Sequence, residues 1–183
     1  MRMRIVVSGT HASGKSTLIS DFVLRHPEFT VLPDPFEFLD EVDDSPKAAV
    51  FAAQLRIAAQ RLNDLEPADT VIAERGPIDF LAYLLATAEL TGTPVADEIL
   101  ARAIEMTAEA MSNVDLLIVL PLTESDQVHV GLDEFLELRD AMDGVLLDLI
   151  ANPDVVGRDV EVIEITGAAE ARVAALDALV SRN

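Results

Sequence analysis

The chain has 183 residues, 50 % hydrophobic and 25 % charged, a globular profile with enough length for one domain and a good-sized core. It carries 33 acidic residues against 13 basic ones, a formal charge of −20, and such a surface repels nucleic-acid backbone and anionic lipid, so neither is expected as a partner. Cysteine is absent, which excludes disulfides, thiolate zinc sites and cysteine nucleophiles.

No apolar run approaches the roughly 18 residues that cross a bilayer. The opening "MRMRIVVSG" lacks the apolar core and small-residue cleavage site of a secretion signal. A cytoplasmic location is the expectation.

In chain order, Arg4–Ser8 is a first strand and Lys15–Arg25 a helix that His26-Pro27 ends. Thr30–Leu32 is a short second strand running into "PDPFEF". Pro46–Leu65 is a long helix with Val50 or Phe51, Leu55, Ala58, Leu62 and Leu65 on one stripe. Thr70–Ala73 is a third strand, and "GPIDFLAYLLATAEL" a helix closed by Gly92. Val95–Met111 is helical, Asp115–Leu120 the fourth strand, and Thr123–Gly131 polar and irregular. A helix spans Leu132–Ile150, Val160–Ile165 is the fifth strand, and Ala168–Val180 the last helix.

This alternation requires crossover connections, and so a parallel sheet with helices on both faces. The expected architecture is a three-layer α/β/α single domain over residues 1–183 with five strands and a lid segment around 122–140. Ligands on such sheets bind beyond the carboxyl ends of the strands. The informative residues are then those that follow each strand.

After the first strand, Gly9 and Gly14-Lys15-Ser16 fit G-x-x-x-x-G-K-[ST] in full. Lysine occurs only at Lys15 and Lys47, so its place inside this motif is not an accident of composition. The loop Gly9, Thr10, His11, Ala12, Ser13, Gly14, Lys15, Ser16 and Thr17 can wrap a polyphosphate with backbone N–H groups. Side chains at Gly9 or Gly14 would obstruct that approach. The helix beginning at Lys15 aims its unpaired N–H groups at the same anion. Lys15 can reach the β- and γ-phosphates, and Ser16 can give a hydroxyl to Mg²⁺. The motif predicts a P-loop that binds ATP with Mg²⁺.

No Asn-Lys-x-Asp guanine reader is present, and the only D-x-x-G, Asp154–Gly157, precedes the fifth strand where a switch motif would not belong. A signalling GTPase is disfavoured on both grounds.

The third strand runs into "VIAERGPIDFLAY". With "GTHASGKST", this segment resembles the nucleoside- and nucleotide-kinase branch of P-loop proteins. Its Arg-Gly-Pro-x-Asp form looks most like the small ATP-binding proteins near ribosylnicotinamide kinase. The resemblance implies that Glu74 completes the Mg²⁺ site begun by Ser16, and that Arg75 holds an acceptor hydroxyl or phosphate. A Glu74–Arg75 surface pair is the plainer alternative. Asp79 is expected to cap or brace its own helix.

Asp34, in "VLPDPF", stands where deoxynucleoside kinases carry a Glu-Pro whose carboxylate takes the proton of the attacking hydroxyl; Asp-Pro is also a common turn opener. Phe51 and Gln54 resemble acceptor-facing residues of those kinases, with core packing the alternative for Phe51. Gly167, Ala168 and Ala169 follow the fifth strand where such kinases place the adenine, although a helix entrance with Thr166 near the cap explains the same residues.

The lid departs from the family pattern. It contains Arg139 and His129 among Asp126, Asp133, Glu134, Glu137 and Asp140, which repel phosphate. Arg139 either serves the moving phosphoryl group or pairs along its own helix. Two functions follow: a kinase that phosphorylates a nucleoside, nucleotide or related small metabolite, or a nucleotide-binding switch or slow ATPase acting through a protein partner. The long apolar helices leave room for a helix-packed homodimer.

Overall fold

A computed structural model describes residues 2–35, 48–123 and 136–182. Among these residues the elements are β1 (Arg4–Ser8), α1 (Lys15–Val23), β2 (Thr30–Leu32), α2 (Ala48–Asn63), β3 (Val71–Glu74) and α3 (Pro77–Thr91). They continue with α4 (Asp97–Met111), β4 (Leu116–Val119), α5 (Leu136–Ile150), α6 (Pro153–Val156), β5 (Glu161–Glu164) and α7 (Ala169–Val180). The five strands form one sheet in the order β2-β3-β1-β4-β5, and every neighbouring pair is parallel.

The side-chain period of two divides the strands between two cores. Val6, Ala73, Leu117 and Val119 face a layer built from α2, α3, α4 and α5. Ile5, Val7, Ile72, Leu116 and Ile118 face α1 and α7. Helix α3 packs between α2 and α5, and nearly all of its first ten residues are buried. A helix apolar all round has no other stable place.

Element order and type match the sequence expectation; the boundaries move for local reasons. Helix α1 stops at Val23, two residues before Arg25, because the N–H groups of both Arg25 and His26 turn back to the Phe22 carbonyl. Helix α4 begins at Asp97 rather than Val95, with Asp97 and Glu98 in its first turn against the positive end of the helix dipole. Helix α2 ends at Asn63 rather than Leu65, and the stripe question resolves on Phe51, which is buried. Strand β3 extends to Glu74, which pairs with Val7.

The one-turn helix α6 was not expected. The Asn152 side chain caps it by accepting from the Asp154 N–H, and four residues are too few to show a helical period. The expected starts at Pro46 and Leu132, and most of the 123–131 segment, lie outside the described residues. No described helix is long and apolar enough to cross a membrane.

Phe80 on α3 is fully buried in the α2–α5 core. Truncating it to alanine should lower the unfolding free energy by about 3–5 kcal/mol, read from urea denaturation.

Candidate functional site

The carboxyl ends of β1 and β3 lie side by side, with Val7 in register with Glu74. This pairing brings the glycine-bracketed loop against "ERGPID". Gly9 has φ 152°, and a Cβ there would come within 2.7 Å of Ser13 Oγ and 2.8 Å of the Leu120 carbonyl. Gly14 caps α1 in the left-handed region at φ 90°. Neither position admits a side chain without strain, as the phosphate-loop motif requires.

Four cationic side chains from four parts of the fold hold the carbonyls of this loop. Arg75 Nη1 donates to Gly9 O at 2.9 Å, and Lys15 Nζ to Thr10 O at 2.8 Å. Arg139 Nε donates to His11 O at 3.0 Å, and Arg172 Nη1 to Ser13 O at 2.7 Å. Carbonyl groups neutralise a cation far less than carboxylates do. Arg75 has a carboxylate partner as well, Asp34.

Asp79 fixes where the loop begins. Its carboxylate accepts from Ser8 Oγ at 2.6 Å, from the Gly9 N–H at 2.9 Å and from the Gly76 N–H at 2.9 Å. The last bond braces the first turn of α3, the Asp79 side chain accepting from the N-cap N–H, as the sequence reading expected; the bonds to Ser8 and Gly9 go further and tie α3 to the loop. Burial pushes the Asp79 carboxyl upward, while Arg75 and the three donors oppose that shift.

Lys15 is buried. Burial first, and then the Arg75 charge, lowers it to about 7, with Asp79, Glu74 and Asp34 acting in the opposite sense. Ser16 Oγ donates to Glu74 Oε1 at 2.7 Å. That places a hydroxyl and a carboxylate together at the start of α1, next to the lysine. A hard oxygen pair of this kind suits Mg²⁺, which keeps several waters and takes few protein ligands.

The other flank of the site centres on Arg75, a buried residue with φ 64°. Its Nε donates to Asp34 Oδ2 at 2.7 Å. Burial opposes its charge, but Tyr83, Asp34 and Asp79 more than offset this and hold it ionised. Arg75 does not pair with Glu74 as a surface couple. Its guanidinium lies 5.4 Å from the centre of the Tyr83 ring, whose other neighbour is Phe51, stacked at 4.9 Å and 8°. The Tyr83 hydroxyl in turn accepts from the His11 N–H at 2.9 Å. One turn along α2 from Phe51, Gln54 is fully buried, and both of its amide atoms lack a partner among the described residues.

Residues 167–169 are exposed at the carboxyl end of β5. Gly167 has φ 98°, and its carbonyl accepts from Arg172 Nε at 2.7 Å. The N-cap of α7 is Ala168, without a side-chain bond, so Thr166 does not cap it. Arg139 donates to the loop, its charge also acts on the Asp143 carboxyl one turn along α5, and its Nη2 is buried with no partner among the described residues. His129, Asp126, Asp133 and Glu134 lie outside the described residues, as does most of the expected lid.

Sequence reading missed Arg172 and the part played by Tyr83. Arg172 is 159 positions from Ser13, on a helix whose pattern otherwise signals only core packing. Tyr83 stood within the quoted "FLAY", but nothing local assigns its hydroxyl to the loop.

The parallel sheet, the loop after β1 and the acid–arginine pair after β3 together make the P-loop nucleotide-kinase fold. The solved structures similar to this chain agree. Deoxyadenosine kinase from M. mycoides with bound dATP superposes with a TM-score of 0.68 at 12 % identity, covering 98 % of this chain and 100 % of that one. Thymidylate kinase from Candida albicans superposes with a TM-score of 0.66 at 17 % identity, covering 100 % of this chain and 92 % of that one. At such identities the likeness is one of fold. No family model matches the sequence, and no curated protein matches it.

Replacing Asp79 with alanine should strand three buried donors at once. The expected loss is about 3 kcal/mol of unfolding free energy, measured by denaturant titration.

Proposed function

We propose that this chain is an ATP- and Mg²⁺-dependent kinase whose phosphoryl acceptor is a nucleoside, a nucleotide or a related small metabolite. The observation that carries the reading is the Ser16–Glu74 pair at 2.7 Å, set beside Lys15 in a glycine-bracketed loop and across from the Arg75–Asp34 pair. The donor-side pair and the acceptor-side pair meet, in this reading, at the carboxyl end of β3, through the consecutive residues Glu74 and Arg75.

In this reading residues 9–17 hold the triphosphate through backbone N–H groups, and Lys15 binds its β- and γ-oxygens. Ser16 and Glu74 would hold Mg²⁺, which would supply charge neutralisation at the transferring phosphate. Arg75 orients the acceptor, and Asp34 accepts the proton of its attacking hydroxyl. A new bond forms between the acceptor oxygen and the γ-phosphorus as the β–γ bridging bond breaks, leaving ADP. Arg139, whose Nη2 is buried without a partner among the described residues, steadies the moving group from α5. Gly167, Ala168 and Ala169 receive the nucleoside end of ATP.

Phe51 and Gln54 belong to the acceptor side, with different duties. Phe51 supports Tyr83 by stacking. Gln54 offers an unpaired donor and an unpaired acceptor, and burying both without partners costs about 1–3 kcal/mol each. A ligand edge with complementary donor and acceptor atoms would remove that cost, and nucleobases have such edges. The deoxyadenosine kinase neighbours, with dATP and dCTP bound, favour the same acceptor class. The reading further takes residues 1–183 as one domain in the cytoplasm, with 122–140 as lid.

A thermal-shift panel of nucleosides and nucleotides, with Mg²⁺ and an inert ATP analogue, should find the acceptor by ligand-linked stabilisation. With it, Lys15→Ala and Glu74→Gln should abolish transfer, whereas Asp34→Asn should slow it and leave ATP binding intact. Full transfer by Lys15→Ala would refute the assignment.

The lysine also predicts a pH dependence. Its folded value of about 7 lies below the ordinary 10.5, so the folded chain binds fewer protons than the unfolded chain across that window. The stability contribution of Lys15 is therefore complete above pH 10.5 and lost as pH falls through about 7. A triphosphate favours the ammonium form. Binding near pH 8 should then take up close to one proton and weaken as pH rises, seen by calorimetry in buffers of different ionisation enthalpy. The uptake should vanish near pH 6, whereas an affinity unchanged between these values would contradict the role of Lys15.

A further inference from the structure

We propose that Arg172, on α7, is a positioning residue that sets the register between the two ends of the bound nucleoside triphosphate. The inference rests on the kinase reading above. It starts from one planar side chain joining two loops that the sheet holds apart. The loop after β1 and the loop after β5 sit two strand spacings from each other in the order β1-β4-β5, roughly 10 Å. Arg172, buried at 6 % exposure, spans the remaining gap. Its Nε donates to Gly167 O at 2.7 Å and its Nη1 to Ser13 O at 2.7 Å.

The direction of the nucleotide follows from what surrounds the loop. On the β3 side, Arg75, Tyr83 and Asp79 crowd against Gly9 and His11. On the β5 side the exposed backbone of Gly167 has φ 98°, and a Cβ there would meet nothing closer than 3.8 Å. A triphosphate seated on residues 9–17 thus has its nucleoside end over Gly167. By bonding both loops, the Arg172 guanidinium fixes how the two subsites stand relative to each other.

Gly14, already held to glycine by its φ of 90°, leaves room for this side chain, since a Cβ there would lie 3.0 Å from Arg172 Nη1. A rigid fork can hold two carbonyls at a fixed separation. A lysine keeps the charge but, as a point donor on a flexible stem, cannot hold both.

The experiment compares ATP with inorganic tripolyphosphate, each with Mg²⁺, on the unaltered protein and on Arg172→Lys. Tripolyphosphate reports the phosphate subsite alone, and ATP reports both subsites and their spacing. The expected result is that Arg172→Lys weakens ATP by about tenfold or more while tripolyphosphate affinity changes by less than about twofold. Equal losses for both ligands, or no loss for either, would overturn the role of Arg172 and leave the kinase reading standing. Failure of the unaltered protein to bind either ligand would overturn both.

A second measurement needs no variant. The Arg172 Nε–H, followed by NMR in the unaltered protein, should exchange with solvent more slowly with ATP than with tripolyphosphate. Equal protection by the two ligands would count against the proposal.

Discussion

Everything at the carboxyl edge of the sheet depends on how the carbonyls of residues 9–13 are held. A peptide loop that points its N–H groups at an anion must point its C=O groups elsewhere, and buried carbonyls need donors. Here those donors are cations drawn from α1, the end of β3, α5 and α7. The arrangement satisfies the loop and gathers positive charge around it. Because backbone oxygens carry only partial charge, they neutralise these cations less than carboxylates would.

The effect matters more in a chain of net charge −20. The field of such a protein opposes a triphosphate at long range. Among the described residues the buried basic side chains are Arg4, Lys15, Arg75 and Arg172, and all but Arg4 border the loop. Away from water their interactions with phosphate are strengthened. A local positive pocket is thus set into an acidic surface, and burial keeps the acidic exterior from screening it. Asp79 complements this scheme from below. Its charge is spent on Ser8, Gly9 and Gly76, so it anchors the loop without offering a free anion to the site.

Much of this was legible in the residues. The motif from Gly9 to Ser16 declares itself by spacing, and "ERGPID" by its place at the end of an apolar strand. Strand and helix order followed from period and from Gly and Pro punctuation, because each element here agrees with its own local preference. What stayed hidden depends on long-range packing. Gln54 stands out in the sequence only through the family resemblance, and its complete burial appears only in the fold. Arg139 has acidic neighbours that suggest an ordinary helical pair, yet its guanidinium crosses to His11. The four-residue helix at Pro153 has too little length to show a period, and its Asn152 cap is visible only as a hydrogen bond.

The bond from Arg172 to Ser13 joins an early loop to a late helix, and this bears on how the chain acquires competence during synthesis. Translation delivers the glycine-bracketed loop well before α7. Yet one of the groups that shapes it is not made until residue 172. Helix α7 is secured independently against α1, through Arg25 and His26 to Asp177, so its docking also completes one of the two hydrophobic layers. The loop therefore takes its final shape only once α7 has been made, after all five strands of the sheet that supports it.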